Sequence, residues 1–194
     1  MGRGAVFIDR DGTINAEVGY LGKIDALALL PGAIKAIQHL SEVGLDVFIV
    51  TNQAGVARGY FDEEVIRAIH RKLAEELAQA GAFVRAIYYC PHHPDFPGDG
   101  CGTCSCRKPL PGMLFMAAAD YGIDLSESFM VGDTVKDIET GRNAGCKSVL
   151  VLTGYGKEEK EKLTVRPDFI AEDLLGAAEW IISQDPSKRH LTLL

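Results

Sequence analysis

Two carboxylates stand directly after the first apolar segment of the chain. Ala5 to Ile8 is a short apolar run, which is typical of a buried strand, and Asp9, Asp11 and Gly12 follow it. A glycine at that point favours a turn, because it tolerates backbone conformations that other residues avoid. We therefore expect both carboxylates to lie over the end of the strand, where open α/β sheets bind their ligands.

Polar residues also follow the other apolar segments that the sequence predicts to be strands. They are Thr51 and Asn52, Asp133, and Thr153. The carboxyl ends of parallel strands share one edge of a sheet, so we expect these groups to converge although they are distant in sequence. Three carboxylates at that edge, from Asp9, Asp11 and Asp133, suit a hard cation with oxygen ligands, and Mg²⁺ fits best.

Groups that could hold a phosphate accompany these carboxylates. Thr51 supplies a hydroxyl, and the turn at residues 52–55 supplies backbone N–H groups. Arg107 and Lys108 add positive charge, and an arginine can grip an anion through two parallel hydrogen bonds. Together these residue types predict phosphoryl transfer, a reaction in which positioning and charge neutralisation dominate.

The elements that must position these groups alternate along the chain, which predicts a parallel sheet covered by helices on both faces. The predicted strands cover residues 5–8, 45–50, 83–89, 129–131, 148–152 and 169–170. The predicted helices cover residues 33–43, 63–80, 113–121, 138–143 and 174–182, and Asp62 is expected to cap the second. Residues 16–31 are predicted to cross the top of the sheet as a loop, and residues 157–163 to be charged and exposed.

Composition narrows the possible functions. A chain of 194 residues predicts one domain, residues 1–194, with an insert at about 90–110. The net charge of −7 disfavours nucleic acid and membrane surfaces as partners, but a local cluster of cations or a metal can still bind a small anion. No apolar run has transmembrane length and the first residues lack a signal-peptide core, so we expect a cytoplasmic protein.

The segment from 90 to 112 holds five of the eight prolines and four of the five cysteines. A loop of this length needs its own source of order. Cys90 and His92, with Cys104 and Cys106, supply three sulfurs and one imidazole, a set that suits tetrahedral Zn²⁺. Spacing alone leaves alternatives open, because Cys101 and His93 are also available and the cysteines could be free thiols.

The motifs resemble a known superfamily. The run from Asp9 to Thr13 is similar to the D-x-D-G-T signature of the haloacid dehalogenase (HAD) superfamily. Thr51, Lys108 and the segment Gly132 to Asp137 resemble its second, third and fourth motifs, in the same order. Three further runs resemble the D-glycero-D-manno-heptose 1,7-bisphosphate 7-phosphatases, with the histidinol-phosphatases close behind. They are Thr51 to Gly59, Cys90 to Pro94, and Cys104 to Pro109.

The resemblance implies a mechanism. Asp9 is the nucleophile that forms an aspartyl-phosphate, and Asp11 is the general acid and then the general base. Catalytic Mg²⁺ is held by Asp9, Asp133 and the backbone carbonyl of Asp11. Thr51 and Lys108 hold the transferring phosphoryl group.

The resemblance also assigns binding residues. It implies substrate contacts from Thr51, Lys108 and Arg107. Asn52 and Gln53, in the turn after Thr51, are further candidates for substrate contacts, and Arg58 is either another such contact or a residue of the protein surface. The resemblance selects Cys90, His92, Cys104 and Cys106 as ligands of a structural zinc. The fold implied is a Rossmann-like three-layer α/β domain, essentially without a cap. One departure is Thr134, where these phosphatases often carry a basic residue.

The expected activity is hydrolysis of a phosphoric monoester, at the 7-position of D-glycero-D-manno-heptose 1,7-bisphosphate. The resemblance then implies a place in heptose synthesis for lipopolysaccharide or surface-layer glycans. Two alternatives remain: a histidinol-phosphate phosphatase, and an inactive zinc-stabilised binding module. The presence of all five catalytic and metal-binding side chains argues against the inactive binding module. They are Asp9, Asp11, Thr51, Lys108 and Asp133. We expect a monomer whose partner is a small phosphorylated sugar.

Overall fold

A computed structural model describes residues 3–96 and 104–184 of the chain. Its centre is one six-stranded, fully parallel sheet in the order β3-β2-β1-β4-β5-β6. The strands are β1 (Ala5–Ile8), β2 (Asp46–Asn52), β3 (Ala86–Cys90), β4 (Phe129–Gly132), β5 (Lys147–Val151) and β6 (Phe169–Ala171). Strand order reverses beside β1, which places a ligand crevice at the carboxyl end of that strand.

Helices cover both faces of the sheet. They are α1 (Ala33–Glu42), α2 (Ala54–Ala57), α3 (Glu63–Gln79), α4 (Gly112–Tyr121), α5 (Val135–Ala144), α6 (Gly156–Lys160) and α7 (Leu174–Ser183). Side chains of α1, α3 and α7 form one core with the sheet, and those of α4 and the end of α5 form the other. The structure therefore confirms the three-layer α/β architecture predicted from the sequence.

Strand β1 is buried along its whole length because both faces of the sheet are covered. Val6 and Ile8 point into the core beneath α1, whereas Ala5 and Phe7 point into the core beneath α4. Pairing with β2 on one side and β4 on the other fixes the register of β1 in the sheet. The residue after Ile8 is consequently held at the edge of the sheet by two neighbouring strands.

Two strand boundaries differ by more than one residue from those predicted. Strand β2 extends to Asn52, because β3 pairs with it up to the register Asn52↔Cys90. Thr51 therefore lies inside the strand rather than beyond its end. Strand β3 begins at Ala86 instead of at Phe83, whose side chain is exposed.

The start of α5 and the segment at 157–163 also differ from the predictions. Helix α5 begins at Val135, three residues earlier than predicted, because Thr134 and Asp137 interact at its first turn. The segment predicted only as charged and exposed contains the short helix α6. In contrast, Asp62 caps α3 as predicted, since its carboxylate accepts a hydrogen bond from the Val65 backbone.

The connections above the carboxyl edge of the sheet are small in the described part of the chain. Residues 16–31 form a loop with one 3₁₀ turn at Ile24–Ala26, and the connection from β2 to α3 holds only the four-residue α2. Neither makes a separate layer over the edge, in agreement with the prediction of a nearly capless fold. Among residues 3–96 and 104–184, no helix combines the length and apolar character needed to span a bilayer.

Candidate active site

Three buried carboxylates meet at the carboxyl edge of the central strands. Asp9 follows β1, Asp133 follows β4, and Asp137 lies in the first turn of α5. One carboxylate oxygen from each lies within 4.8 Å of the others. The predicted convergence of Asp9 and Asp133 is therefore present in the fold, and Asp137 joins them.

Lys108 is the positive charge at the centre of this group. Its side chain is 3% exposed, and Nζ lies 2.8 Å from Asp9 Oδ1 and 2.6 Å from Asp137 Oδ1. The third Nζ hydrogen is donated to the Val50 carbonyl at 3.0 Å. Although burial opposes the charged form, the carboxylates of Asp137 and Asp9 outweigh it and raise the pKa of Lys108.

One lysine does not neutralise three carboxylates, and the pKa values of two of the acids are raised. Burial raises the pKa of Asp9 to about 7, against the opposing effect of Lys108. Burial, then the charges of Asp9 and Asp137, raise the pKa of Asp133 to about 8. The site has two formal negative charges more than positive ones, the excess that a divalent cation would neutralise.

Asp133 also has one carboxylate oxygen that could coordinate a metal ion. Its Oδ2 accepts the Tyr155 backbone N–H at 2.8 Å, but its buried Oδ1 has no hydrogen-bond partner among the described residues. Buried polar atoms are rarely left without a partner unless an ion or water serves them. The donor set, with hard oxygens and an unpartnered carboxylate oxygen, fits Mg²⁺.

Glycine backbone packs directly against Asp133. A Cβ atom at Gly12 or at Gly154 would collide with the Asp133 carboxylate. Both glycines also have positive φ, of 77° and 52° respectively, which side-chain-bearing residues rarely adopt. Gly12 thus makes the predicted turn after β1 and also leaves room for the carboxylate.

The Asp11 carboxylate, which the sequence predicted to join Asp9 and Asp133, is not in this group, where Asp137 is found instead, and it is held by three other side chains. Arg10 contacts both carboxylate oxygens, with Nη2 at 2.8 Å from Oδ2 and 3.0 Å from Oδ1. Asn15 Nδ2 donates to Oδ1 and Gln53 Nε2 donates to Oδ2, each at 3.0 Å. The Asp11 carboxylate is therefore held in one orientation by two donors from the turn after β1 and one from the residue that follows β2.

Asn52, the last residue of β2, and Gln53, which follows it, make different contacts. Gln53 bridges Asp11 and Thr51, because its amide nitrogen also donates to Thr51 Oγ1 at 2.9 Å. Asn52 makes two hydrogen bonds with the backbone of Lys108, at 3.0 and 3.1 Å. Asn52 thereby ties the loop that carries Lys108 to the sheet, a function that sequence patterns did not indicate.

Asp137 links the charge cluster to the start of α5. Oδ1 accepts from Lys108, whereas Oδ2 accepts from both the backbone N–H and the hydroxyl of Thr134, at 3.0 and 2.6 Å. The hydrogen bond from the Thr134 backbone N–H to Asp137 is one half of a capping box, which fixes the first turn of a helix. Asp137 therefore serves as a helix cap and as a partner of Lys108 at once.

Arg58 lies at the rim of the site between two aromatic rings. Its guanidinium carbon is 4.4 Å from the Phe96 ring centre and 5.8 Å from that of Tyr20. Its buried Nε has no hydrogen-bond partner among the described residues. The rings hold the cation in place by cation–π attraction and leave its donors available.

Further positive charge surrounds the same rim. Arg107 donates to the His92 carbonyl at 2.9 Å. Burial, followed by the positive charge of Arg107 and then, more weakly, of Arg58 and Lys136, lowers the pKa of His93. Arg107, Arg58 and Lys136 therefore lie close enough to His93 to act on its charge, and they form a group of positive charges beside the insert.

The four predicted metal ligands in the insert come together. Cys90, His92, Cys104 and Cys106 each place one ligand atom within 4.8 Å of the rest. His92 Nδ1 lies 3.7 Å from the Cys90 sulfur and 3.4 Å from that of Cys106, and the Cys90 and Cys104 sulfurs are 3.6 Å apart. Three sulfurs and one nitrogen at these separations fit a four-coordinate zinc. Cys101 lies outside the described residues.

The thiols of this cluster differ in acidity. Burial raises the pKa of Cys90. Burial opposes ionisation of Cys104 as well, but the Arg107 backbone N–H and the neighbouring sulfurs outweigh it and lower its pKa to about 7. A thiol that ionises near neutral pH is ready to bind a metal as a thiolate.

Two contributors escaped the sequence analysis. Arg10 is fully buried, and its Nη1 lies 2.9 Å from Nε2 of His70 on α3. The backbone N–H of Tyr155 is aimed at Asp133 by the turn after β5. The sequence shows Arg10 between Asp9 and Asp11, but no local pattern indicates its contact with His70, which depends on tertiary packing.

Comparison with protein families and known structures agrees with this site. A family model described as "HAD-hyrolase-like" matches residues 105–177. The D-glycero-D-manno-heptose-1,7-bisphosphate 7-phosphatase of Thermosynechococcus vestitus is 44% identical over 189 residues, which cover 93% of this chain and 96% of that protein. The D-glycero-beta-D-manno-heptose-1,7-bisphosphate 7-phosphatase of Pseudomonas aeruginosa is 42% identical, with 94% of this chain and 99% of that protein covered.

A solved structure extends the likeness to three dimensions. The D,D-heptose 1,7-bisphosphate phosphatase of B. bronchiseptica, crystallised with magnesium and phosphate, superimposes with a TM-score of 0.85. It is 38% identical in sequence and covers 94% of this chain and 99% of its own.

Proposed function

This chain belongs to the D-glycero-D-manno-heptose-1,7-bisphosphate 7-phosphatase family, and we propose that it hydrolyses the 7-phosphate ester of that sugar bisphosphate. The observation that carries the proposal is the meeting of Asp9, Asp133 and Lys108 at one edge of the sheet. An unpartnered oxygen on Asp133 and an excess of negative charge leave a place there for a divalent cation. The reaction is the hydrolysis of a phosphoric monoester.

Asp9 is the nucleophile in this proposal. Lys108 and the Arg10 backbone N–H both donate to its Oδ1, at 2.8 and 2.7 Å, so the carboxylate cannot rotate freely. A carboxylate oxygen of Asp9 attacks phosphorus, and the bond from phosphorus to the sugar oxygen breaks. Asp11 gives its proton to that oxygen as the sugar leaves.

The second step restores the enzyme. Water attacks the phosphorus of the aspartyl-phosphate, and Asp11 accepts a proton from that water. The bond between phosphorus and the Asp9 oxygen breaks, which releases inorganic phosphate. Asp11 must therefore hold one orientation through both steps, and its contacts with Arg10, Asn15 and Gln53 support that requirement.

The remaining residues hold the cation and the substrate. Asp9, Asp133 and the backbone carbonyl of Asp11 would hold Mg²⁺, which when bound polarises the phosphoryl oxygens and offsets their charge. Thr51 and Lys108 steady the transferring phosphoryl group. Arg58 and Arg107 would complete the substrate contacts at the rim, whereas Asn52 and Gln53, predicted to contact the substrate, would act by holding Lys108 and Asp11 in place.

The cations of the rim favour a substrate with two phosphates. Arg58 is held between Tyr20 and Phe96 with donors to spare, and Arg107 approaches the same region from the insert. A sugar bisphosphate presents a second anionic group to this rim, whereas histidinol phosphate presents an ammonium group. Charge complementarity therefore supports the bisphosphate.

A structural zinc completes the proposal. Cys90, His92, Cys104 and Cys106 would hold it with every coordination position filled. Its function would be to order the segment that leads to Arg107 and Lys108. The chain would form a single domain, which is supported by the one sheet that holds the six strands of the described residues, and we expect it to act as a monomer.

The test is phosphate release from a substrate panel with Mg²⁺. The panel contains the heptose 1,7-bisphosphate as both anomers, histidinol phosphate and simple hexose phosphates. We expect the bisphosphate to give the highest kcat/KM and the product to retain its 1-phosphate. Faster hydrolysis of histidinol phosphate would replace the proposed substrate, and no phosphate release from any ester would reduce the protein to a binding module.

A further inference from the structure

We propose that His70 is a positioning residue for the acid–base chemistry of Asp11, acting through the buried guanidinium of Arg10. The inference rests on the proposed function, since it concerns the residue to which that function assigns proton transfer. His70 lies in the middle of α3 and does not contact the carboxylate cluster. Its influence therefore has to travel through Arg10.

Arg10 links the two residues directly. Its Nε and Nη2 face the Asp11 carboxylate, and its Nη1 lies 2.9 Å from His70 Nε2. The Arg10 side chain is fully buried, so each of its N–H groups needs a partner inside the protein. His70 and Asp11 therefore share one guanidinium, and the plane of that guanidinium sets the plane of the carboxylate.

The contact also fixes the chemical form of His70. A guanidinium can only donate hydrogen bonds, so His70 Nε2 must accept and cannot carry a proton. The ring is consequently neutral, with its proton on Nδ1. This assignment follows from the donor chemistry of arginine and can be checked in the unmodified protein.

The surrounding structure holds His70 rigidly. Its neighbours Ile69 and Leu73 on α3 are fully buried. The Tyr89 ring of β3 packs edge-on against the imidazole, with the two ring centres 5.3 Å apart. The Tyr89 hydroxyl in turn donates to Glu63 in the first turn of α3 at 2.6 Å. The acceptor that faces Arg10 is thus anchored by both a helix and a strand.

Without this acceptor, Arg10 would have a buried N–H group left unpaired. The guanidinium would then turn toward other acceptors and pull the Asp11 carboxylate out of line. Proton delivery to a poor leaving group, such as a sugar alkoxide, depends on that alignment. A leaving group that departs without a proton, such as p-nitrophenolate, does not depend on it in the first step.

The experiment compares the two kinds of ester in variants of His70. His70→Phe keeps a ring but removes the acceptor, whereas His70→Gln places an amide oxygen where Nε2 was. We expect His70→Phe to lose about tenfold or more in kcat/KM for the heptose bisphosphate, a part of the roughly 10²–10⁴-fold that general acid catalysis contributes, with kcat/KM for p-nitrophenyl phosphate changed less than threefold. We expect His70→Gln to recover most of the loss.

A matched control separates positioning from lost stability. Leu77→Ala removes a buried side chain from the same helix without touching Arg10. It should lower the melting temperature and affect both esters equally. Equal losses on both esters in His70→Phe, or no recovery in His70→Gln, would overturn the inference.

Two further measurements keep its failure distinct from failure of the proposed function. Asp11→Asn should show the same ester-dependent loss to a greater degree; if it does not, the acid–base assignment of Asp11 is wrong. If it does and His70→Phe does not, only the inference about His70 falls. Independently, ¹⁵N NMR of the wild-type protein should find His70 Nε2 unprotonated, and a proton there would exclude the contact with Arg10 even if the variants fail to fold.

Discussion

At the scale of single residues, the site is governed by an imbalance of charge. Asp9, Asp133 and Asp137 are buried together, and Lys108 pairs directly with only Asp9 and Asp137. The raised pKa values of Asp9 and Asp133 are the physical expression of that imbalance. A protein without a cation in this place would keep part of its acidic cluster protonated at neutral pH.

The first prediction concerns magnesium affinity and pH. In the metal-free protein burial raises the pKa of Asp9 to about 7 and of Asp133 to about 8, so both must lose protons before they bind a cation. Mg²⁺ affinity should therefore rise as pH increases from 6 to 9, with release of protons on binding. Calorimetry in two buffers of different ionisation enthalpy measures both quantities. An affinity that stays constant over this range would contradict the charge balance described here.

The second prediction concerns His70 and acid. Burial, aided by the charge of Arg10, lowers the pKa of His70 from 6.5 to about 3. Below pH 6.5 the unfolded chain binds a proton at this residue that the folded chain does not, so stability falls as pH decreases toward 3. The slope from this residue is about 1.4 kcal/mol per pH unit at most.

Urea unfolding at several pH values measures this effect. As pH falls from 7 to 4, wild type should lose stability relative to His70→Gln, because the variant lacks the group that titrates. Parallel pH profiles for the two proteins would mean that His70 is not neutral and buried in the folded state.

At the scale of elements, helix α5 and the acidic cluster share one residue. Asp137 accepts from Thr134 with one oxygen and from Lys108 with the other. The start of the helix and the position of the lysine are therefore coupled. Thr134 stands where a basic side chain was expected from the family, and its contacts assign it a capping role instead.

The third prediction tests that role. Thr134→Ala removes the hydroxyl from a buried carboxylate and should lower the free energy of unfolding by about 1 kcal/mol. Thr134→Ser keeps the hydroxyl and should remain close to wild type. Equal stability of the alanine and serine variants, measured by chemical unfolding, would show that the hydroxyl contact has no energetic value.

The fourth prediction concerns the cysteine insert as an element. Removing one ligand, as in Cys104→Ala, should abolish stoichiometric zinc and raise KM for the bisphosphate, because Arg107 follows the cluster in sequence. Cys146→Ser is the matched control, since Cys146 belongs to the apolar core rather than to the cluster. Metal analysis of purified protein, together with steady-state kinetics, measures both effects.

The same analysis settles the place of Cys101. Cys101→Ser should retain one zinc per chain if Cys90, His92, Cys104 and Cys106 are the complete set of ligands. Loss of zinc in Cys101→Ser with retention in Cys104→Ala would replace one ligand by the other. Absence of zinc from carefully prepared wild-type protein would contradict the structural role altogether.

At the scale of the whole molecule, hydrophobic pattern was sufficient to predict the sheet and the edge that carries the site. Apolar runs ending in Asp9 and in Gly132-Asp133 are local signals, and the rule that parallel strands end at one edge brings them together. The motif resemblance then predicted which of the converging residues share a function. Sequence alone was sufficient for these inferences because Asp9 and Asp133 directly follow apolar runs, and a shift of one or two residues in a strand boundary leaves such a residue at the same edge of the sheet.

Other features depended on contacts that no local pattern encodes. The extension of β2 to Asn52 is set by pairing with β3, and the early start of α5 is set by the contact between Thr134 and Asp137. The link from His70 to Arg10 joins residues sixty positions apart. Such contacts are decided by tertiary packing, which overrides the local preference of each segment.

The most direct test of the account is to identify the residue that carries phosphate during turnover. The protein is mixed with the heptose 1,7-bisphosphate and Mg²⁺, quenched in acid within one turnover and digested for peptide mass spectrometry, with Asp9→Asn treated in parallel. The account predicts a phosphoryl group on Asp9 in the wild-type protein, and no labelled peptide and no turnover in a folded Asp9→Asn. Full activity of Asp9→Asn, or a phosphoryl group on another residue, would contradict it.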